Sequence, residues 1–380
     1  MAQALVNARM LIERKFETGR ALVIEDGRIA AVVADGDLPI AIDKRDLSGL
    51  TLVPGFIDVQ VNGGGDRLFN DDPGIETIAA IGRAHRQFGT TGFLPTLISD
   101  DASKISAAMD AARMAITAGV PGVLGVHIEG PFLNPARKGI HDPTKLRPIS
   151  NSEIELLSRP TGGKTVVTLA PEQVPADAIR RLARAGVIVC AGHTQATADQ
   201  IFVALRNGLR GFTHLFNAMS QLGSREPGVV GAALYDENSW CGIIVDGHHV
   251  DSRVLKIALR AAPHRRFMLV TDAMPSVAGR KSFMLNGQRI SALGGKCVDA
   301  AGTLAGSDLD METALRNAVS TLGLDLADAV AMASSNPTAF LGVDHELGRI
   351  APGYRASMVL LDDRLHVAET WIDGVSSAER

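Results

Sequence analysis

The sequence predicts an α/β chain: a (β/α)8 TIM-like barrel carrying a small β-sandwich built from both chain termini. Three observations carry that prediction. Eight apolar runs of strand length recur through the middle of the chain, Ala-rich segments of helical period separate them, and both ends switch to short alternating pieces broken by turn dipeptides.

From Ala4 to Val53 the pieces ALVNARML, RALVIEDGRIAAVV and RDLSGLTLVPG alternate with turn signals at Asp26-Gly27 and Asp35-Gly36, which reads as a small antiparallel sheet. Residues 347–374 repeat that style and place another turn at Asp373-Gly374. Neither end has enough apolar surface to stand alone, so residues 1–53 and 346–380 are expected to pair into one discontinuous sandwich. Between them, residues 54–345 hold the runs LVPGFIDVQV, GFLPTLI, VLGVHIEG, TVVTLAPE, VIVCAGH, GFTHLFN, CGIIVDGHH and FMLVTDA. Eight strands close a parallel barrel, and continuous rather than alternating apolar runs mean a sheet covered on both faces. The intervening segments, IETIAAIGRAHRQFG and ADAIRRLARAG among them, place apolar residues three and four apart and end in Gly, as capped helices do. A doubly wound open sheet is the alternative. At 380 residues the chain accommodates a barrel of about 250 residues with its appendage.

Composition excludes several function classes. Thirty-eight Lys and Arg against 42 Asp and Glu, without a basic run, argue against a nucleic-acid partner. No apolar run reaches the roughly 18 residues of a membrane span, and the first residues do not resemble a secretory leader, so a soluble cytoplasmic protein is expected. Cys190, Cys241 and Cys297 are odd in number and widely spaced, which suits neither a disulfide framework nor a cysteine zinc site.

The informative pattern is the position of the ionisable residues. Glu129, His193, His214 and Asp272 each lie at or near the C-terminal end of a predicted strand, and in a barrel those ends meet at one mouth. One such residue alone reads as an ordinary hydrogen-bonded histidine or carboxylate. Four together are costly to bury unless a metal compensates them. Glu129, His193 and His214 supply three ligands to a divalent ion with a position left open, and Asp272 remains as the proton carrier. His127, two residues before Glu129, points into the same interior, either as a fourth ligand or as a hydrogen-bonding support beneath the site. His141 and His249 fall in loops at the mouth, where substrate binds. The segment NGGGDRLFND lacks the Lys-Ser/Thr ending of a phosphate loop and reads as a flexible mouth loop. Arg225, alone in a Gly- and Pro-containing loop, reads by itself as a surface residue.

A series of motifs resembles one family in order and nearly end to end. These are PGFIDVQVNG (54–63), HIEGPFLNPARKGIH (127–141), AGHTQA (191–196), THLFNAM (213–219), REPG (225–228), DGHHV (246–250), VTDAM (270–274) and LAGSDLDM (304–311). The family is the N-acetylglucosamine-6-phosphate deacetylases of the amidohydrolase superfamily. The resemblance implies that Glu129, His193 and His214 hold the metal and that Asp272 is general base, then general acid. It further implies that His141, beside Ile140, polarises the acetyl carbonyl, that Asn217 and Ala218 contact the ligand, and that Leu304, Ala305 and Gly306 line the sugar pocket. His249 and Arg225 would bind the 6-phosphate, with Arg225 reaching across a homodimer interface into the neighbouring site. One departure from the wider superfamily stands out: Gln60 and Asn62 occupy the places of a common His-x-His pair. Amides are poor zinc ligands, so one metal per subunit is expected. Zinc is the first expectation, iron, cobalt or manganese the alternatives, and no organic cofactor is needed.

The expected reaction is hydrolysis of the acetamide of N-acetylglucosamine 6-phosphate in amino-sugar catabolism. The rivals are the galactosamine epimer, a cyclic amide as in other amidohydrolases, and a catalytically silent sugar-phosphate-binding protein on the same fold.

Overall fold

The computed structural model describes residues 2–378. All eight apolar runs contribute strands to one parallel sheet: β1 (Phe56–Val61), β2 (Thr90–Ile98), β3 (Gly125–Glu129), β4 (Lys164–Leu169), β5 (Ile188–Ala191), β6 (Leu209–Phe212), β7 (Trp240–Ile243) and β8 (Phe267–Leu269). Each strand pairs with its neighbours in sequence. The chain just beyond β8 returns to β1: the Asp272 N–H donates to the Gln60 carbonyl at 3.0 Å and the Asn62 N–H to the Ala273 carbonyl at 2.9 Å. These bonds close the sheet, which is a barrel and not an open doubly wound sheet.

The connecting helices follow from local signals. α1 (Ile75–Arg86), α2 (Ala102–Thr117), α3 (Asn151–Leu157), α4 (Ala176–Arg184), α5 (Ala198–Arg206), α6 (Gly228–Tyr235) and α7 (Ser252–Ala261) alternate with the strands, and α8 (Met311–Ser320), α9 (Leu326–Ala333) and α10 (Ser335–Leu341) follow β8. Ser150 with Glu153, and Thr197 with Gln200, form reciprocal capping boxes that satisfy the free N–H groups at the starts of α3 and α5. Asp251 and Asp310 cap α7 and α8.

Both chain ends build the appended β unit. A four-stranded sheet holds strands from residues 3–6, 20–25, 28–34 and 43–46, and a six-stranded sheet joins Arg9–Ile12, Lys15–Glu17 and Thr51–Pro54 to Met358–Leu361, Val367–Ile372 and Val375–Ser376. Leu5, Leu22, Met10, Leu52, Met358 and Trp371 share one core, so the late residues cover apolar faces of the early ones.

Two features differ from the sequence expectation. The glycine-rich segment after β1 is an ordered hairpin pairing Gly63–Gly64 with Arg67–Leu68. Its glycines answer to close packing: a Cβ on Gly63 would lie 2.4 Å from the Arg67 carbonyl oxygen, and one on Gly64 would lie 2.8 Å from the His85 ring. Residues 282–307 form an unanticipated four-stranded antiparallel sheet. Its first turn, Asn286-Gly287, has both residues at positive φ, the geometry that a two-residue hairpin favours. Leu285, Ile290 and Cys297 pack it onto Leu68, Ile98 and Met274 beside the barrel mouth.

Candidate active site

A cleft of about 510 Å³ opens at the C-terminal ends of the barrel strands. Of the residues singled out from sequence, Glu129, His193, His214, Asp272, His141, Ile140, Asn217, Ala218, His249, Leu304, Gly306 and Asn62 all line it. The backbone at several of these positions is bent out of strand geometry: φ is +49° at His193, +33° at His214, +50° at Ala218 and +53° at Asp272. Non-glycine residues adopt that region at a cost, and a cluster of them at one cavity marks a place where side-chain direction outweighs local strain.

Glu129 Oε1, His193 Nε2 and His214 Nε2 converge, at 3.0 Å between Glu129 and His214, 3.2 Å between Glu129 and His193, and 3.1 Å between the two imidazoles. Their side chains are nearly inaccessible. The His193 Nδ1–H donates to the Arg137 carbonyl at 2.8 Å, which leaves the Nε2 lone pair directed at the other two atoms. Electron-pair donors that face one another this closely repel unless a cation lies among them. Atoms about 2.1 Å from a shared tetrahedral centre are themselves about 3.4 Å apart, so the three fit one divalent ion.

Gln60 and Asn62 do not join that triad. The Gln60 amide donates to Glu129 Oε2 and to Asp272 Oδ1, both at 3.1 Å, and the Asn62 amide donates to Asp272 Oδ1 at 2.7 Å. Both amides therefore hold carboxylates in place, a task suited to N–H donors. Burial, with the Glu129 charge nearby, raises the Asp272 carboxyl. Below this seam Asp58 is fully buried and accepts from the Thr271 hydroxyl and the Gln60 N–H; burial pushes it up to about 7.

His127 is likewise a support. Its Nδ1–H donates to the Val59 carbonyl at 3.0 Å, so Nε2 accepts from the Thr168 hydroxyl at 2.8 Å, and Thr168 in turn accepts from Thr213 at 2.6 Å. His141 has the opposite tautomer. Its Nδ1 lies 3.2 Å from the Ser99 N–H and 2.7 Å from the Ser99 hydroxyl, so Nδ1 is an acceptor and the ring proton resides on Nε2. Burial keeps this ring neutral, its pKa lowered to about 3. The ring packs edge-on to His193 with centroids 4.4 Å apart.

His249 is held from behind. Its Nδ1–H donates to Asp246 Oδ2 at 2.6 Å, while the backbone N–H groups of His248 and His249 donate to Asp246 Oδ1 at 2.8 and 2.9 Å. Burial would raise Asp246, yet its bonds to His249 outweigh burial and lower it.

Two expected residues lie elsewhere. The Ala305 methyl is fully buried in the hairpin core with Leu285 and Ile290, because side chains alternate along that strand and leave Leu304 and Gly306 at the cleft. Arg225 is exposed and does not line the cleft of its own chain.

Sequence reasoning missed Ser99, Asp246 and Glu172. Glu172 accepts from Asn134 at 2.9 Å, from the Gln195 N–H at 2.6 Å and from the Thr194 hydroxyl, and so ties the loop after β3 to the loop that presents His193. Asp246 was readable, standing three residues before His249 in DGHHV; nothing local marks Ser99, which lies 42 residues from its partner.

The amidohydrolase family model matches residues 51–376. An N-acetylgalactosamine-6-phosphate deacetylase of Shewanella sp. (strain ANA-3) is 43% identical, covering 97% of this chain and 94% of its own length. An N-acetylglucosamine-6-phosphate deacetylase of Haemophilus influenzae is 33% identical, covering 98% and 99%. The crystal structure of N-acetylglucosamine-6-phosphate deacetylase from Pasteurella multocida superposes with a TM-score of 0.96 at 34% identity, covering 99% of this chain and 100% of that one. Fold, cleft and relatives agree, and the chain belongs to the amidohydrolase family.

Proposed function

We propose that the chain hydrolyses the acetamide of N-acetyl-D-glucosamine 6-phosphate to D-glucosamine 6-phosphate and acetate. The observation that carries the reading is the meeting, in one cleft, of a Glu-His-His triad, a buried carboxylate and a carboxylate-backed histidine.

Glu129, His193 and His214 would hold one divalent ion per subunit, zinc the first candidate, which would supply Lewis acidity and lower the pKa of a water. Asp272 takes the proton of the attacking water, whose oxygen bonds to the acetyl carbon. Asp272 then delivers that proton to nitrogen as the C–N bond breaks, since an unprotonated amine leaves too slowly. The Nε2–H of His141 donates to the carbonyl oxygen as negative charge develops there, a role supported by the Ser99 contacts that fix its tautomer. Gln60 and Asn62 steady Asp272 through the cycle.

His249, oriented by Asp246, binds the 6-phosphate, and Arg225 of a second copy completes that subsite in a homodimer, which accords with its exposure and its absence from its own cleft. Ile140, Asn217, Ala218, Leu304 and Gly306 enclose the sugar. Residues 54–345 form the catalytic unit and 1–53 with 346–380 the appended one, in a cytoplasmic enzyme of amino-sugar catabolism.

A second reading, the galactosamine epimer as substrate, is favoured by the 43% identity to the Shewanella enzyme. The two substrates differ at one ring carbon and share every bond-making step. Acetate release by zinc-reconstituted protein, with both epimers at matched concentration, decides between them; release from neither overturns the deacetylase reading.

A further inference from the structure

A second cavity, of about 650 Å³, lies at the opposite end of the barrel, where the strands begin. Trp240, the first residue of β7, and Arg265 and Arg266, immediately before β8, form part of its wall. Leu11, Ile350 and Tyr354 of the terminal unit close it from below. Its size is that of a site for a small metabolite. Catalytic groups of this fold gather at the other end of the barrel, so chemistry does not account for it.

The charge around it is one-sided. Arg14, Arg265, Arg266 and Arg349 line it against a single acid, Glu13. Arg14 pairs with Asp328. Arg265 and Arg349 are exposed and, among the described residues, have no carboxylate partner. Arg266 is 7% exposed, and its guanidinium carbon sits 5.1 Å from the centre of the Trp240 ring. Nη1 of Arg266 donates to the Glu237 carbonyl, while Nε and Nη2 are buried without a hydrogen-bond partner. Arg266 thus sets a positive charge within the wall, and the exposed guanidiniums of Arg265 and Arg349 are the donors that an anion in the cavity can reach. Trp240, Tyr354, Leu11 and Ile350 supply flat and apolar surface next to it.

We propose that this cavity binds a small organic anion, a phosphate or carboxylate carried on a planar or apolar body, independently of the catalytic cleft. The inference does not rest on the deacetylase reading. Trp240 reports on it directly, because the only other tryptophan, Trp371, is fully buried in the core of the terminal unit. Full-length protein is titrated with phenyl phosphate, benzoate and neutral benzyl alcohol, following tryptophan fluorescence and, for the number of sites, calorimetry. Saturable binding of at least one anion is expected, with little response to benzyl alcohol; the stronger of the two anions identifies the head group. The double variant Arg265→Ala/Arg349→Ala, both exposed positions, should bind at least about tenfold more weakly at unchanged fold, and His249→Ala should leave this binding intact. No saturable binding of either anion, equal binding of benzyl alcohol, or binding lost in His249→Ala but kept in the double variant would each overturn the proposal.

Discussion

Replacing Asp246 by Asn tests whether the phosphate subsite depends on a charge behind His249. The two side chains are 2% and 5% exposed and meet at 2.6 Å, so the bond is shielded from solvent. Asn can still accept the Nδ1–H of His249 through its amide oxygen, and the imidazole stays in place, but the ring is no longer anchored by an ionised partner. A hydrogen bond to an ionised partner contributes roughly 1.5–3 kcal/mol and one between neutral groups roughly 0.5–1.5. The midpoints of those ranges differ by about 1.25 kcal/mol, which is about eightfold in affinity. Because the 6-phosphate is bound equally in ground and transition states, the loss should fall on KM with kcat nearly unchanged. Steady-state acetate release from N-acetylglucosamine 6-phosphate and from its unphosphorylated form reads this out: KM should rise for the first and stay level for the second. An unchanged KM with a depressed kcat, or equal effects on both substrates, would refute the reasoning.

Asp272→Asn should keep its metal, since Asp272 lies outside the Glu-His-His triad, yet lose about 10²- to 10⁴-fold in kcat; a variant as active as the parent would remove Asp272 from proton transfer. Arg225→Ala should raise KM for the phosphorylated substrate, and mixing it with inactive Asp272→Asn should alter activity through hybrid dimers; kinetics identical to the parent would make Arg225 an ordinary surface residue. His85 provides a pH test of the fold. Burial lowers its pKa from 6.5 to about 4, its Nε2–H donating to the Gly63 carbonyl while Nδ1 lacks a partner. The unfolded chain takes up that proton first, so the contribution to stability is full above pH 6.5 and is lost as pH falls toward 4. Between pH 7 and pH 5 the loss is about 2 kcal/mol, which His85→Leu should abolish in urea unfolding; parallel losses in parent and variant would show that His85 is not held neutral.

Most of the barrel was legible because each strand is a short apolar run ending near a Gly, a turn or an ionisable residue, and parallel strands covered on both faces leave that signature. The hairpin sheet at 282–307 was overlooked although Asn286-Gly287 announces its first turn, because its mixed polarity reads as loop. At the site, residue type and strand-end position sufficed for Glu129, His193, His214 and Asp272. The positive φ at His193, His214 and Asp272 was not legible, since His and Asp visit that region only occasionally and tertiary packing decides where they do. Nor did the sequence reveal the tautomers of His127 and His141, which depend on Val59, Thr168 and Ser99, contacts made only once distant strands align. Gln60 and Asn62 could be read as departures from a ligand pair; their bonds to Glu129 and Asp272 required coordinates.

The central claim is that one metal-dependent cleft hydrolyses a phosphorylated N-acetyl amino sugar. Its most direct test is acetate release from N-acetylglucosamine 6-phosphate by chelator-stripped protein before and after one equivalent of zinc. The account predicts no turnover in the stripped protein, restoration at one ion per chain, and strong preference over the unphosphorylated sugar. Full activity without metal, or none with the ion stoichiometrically bound, would contradict it.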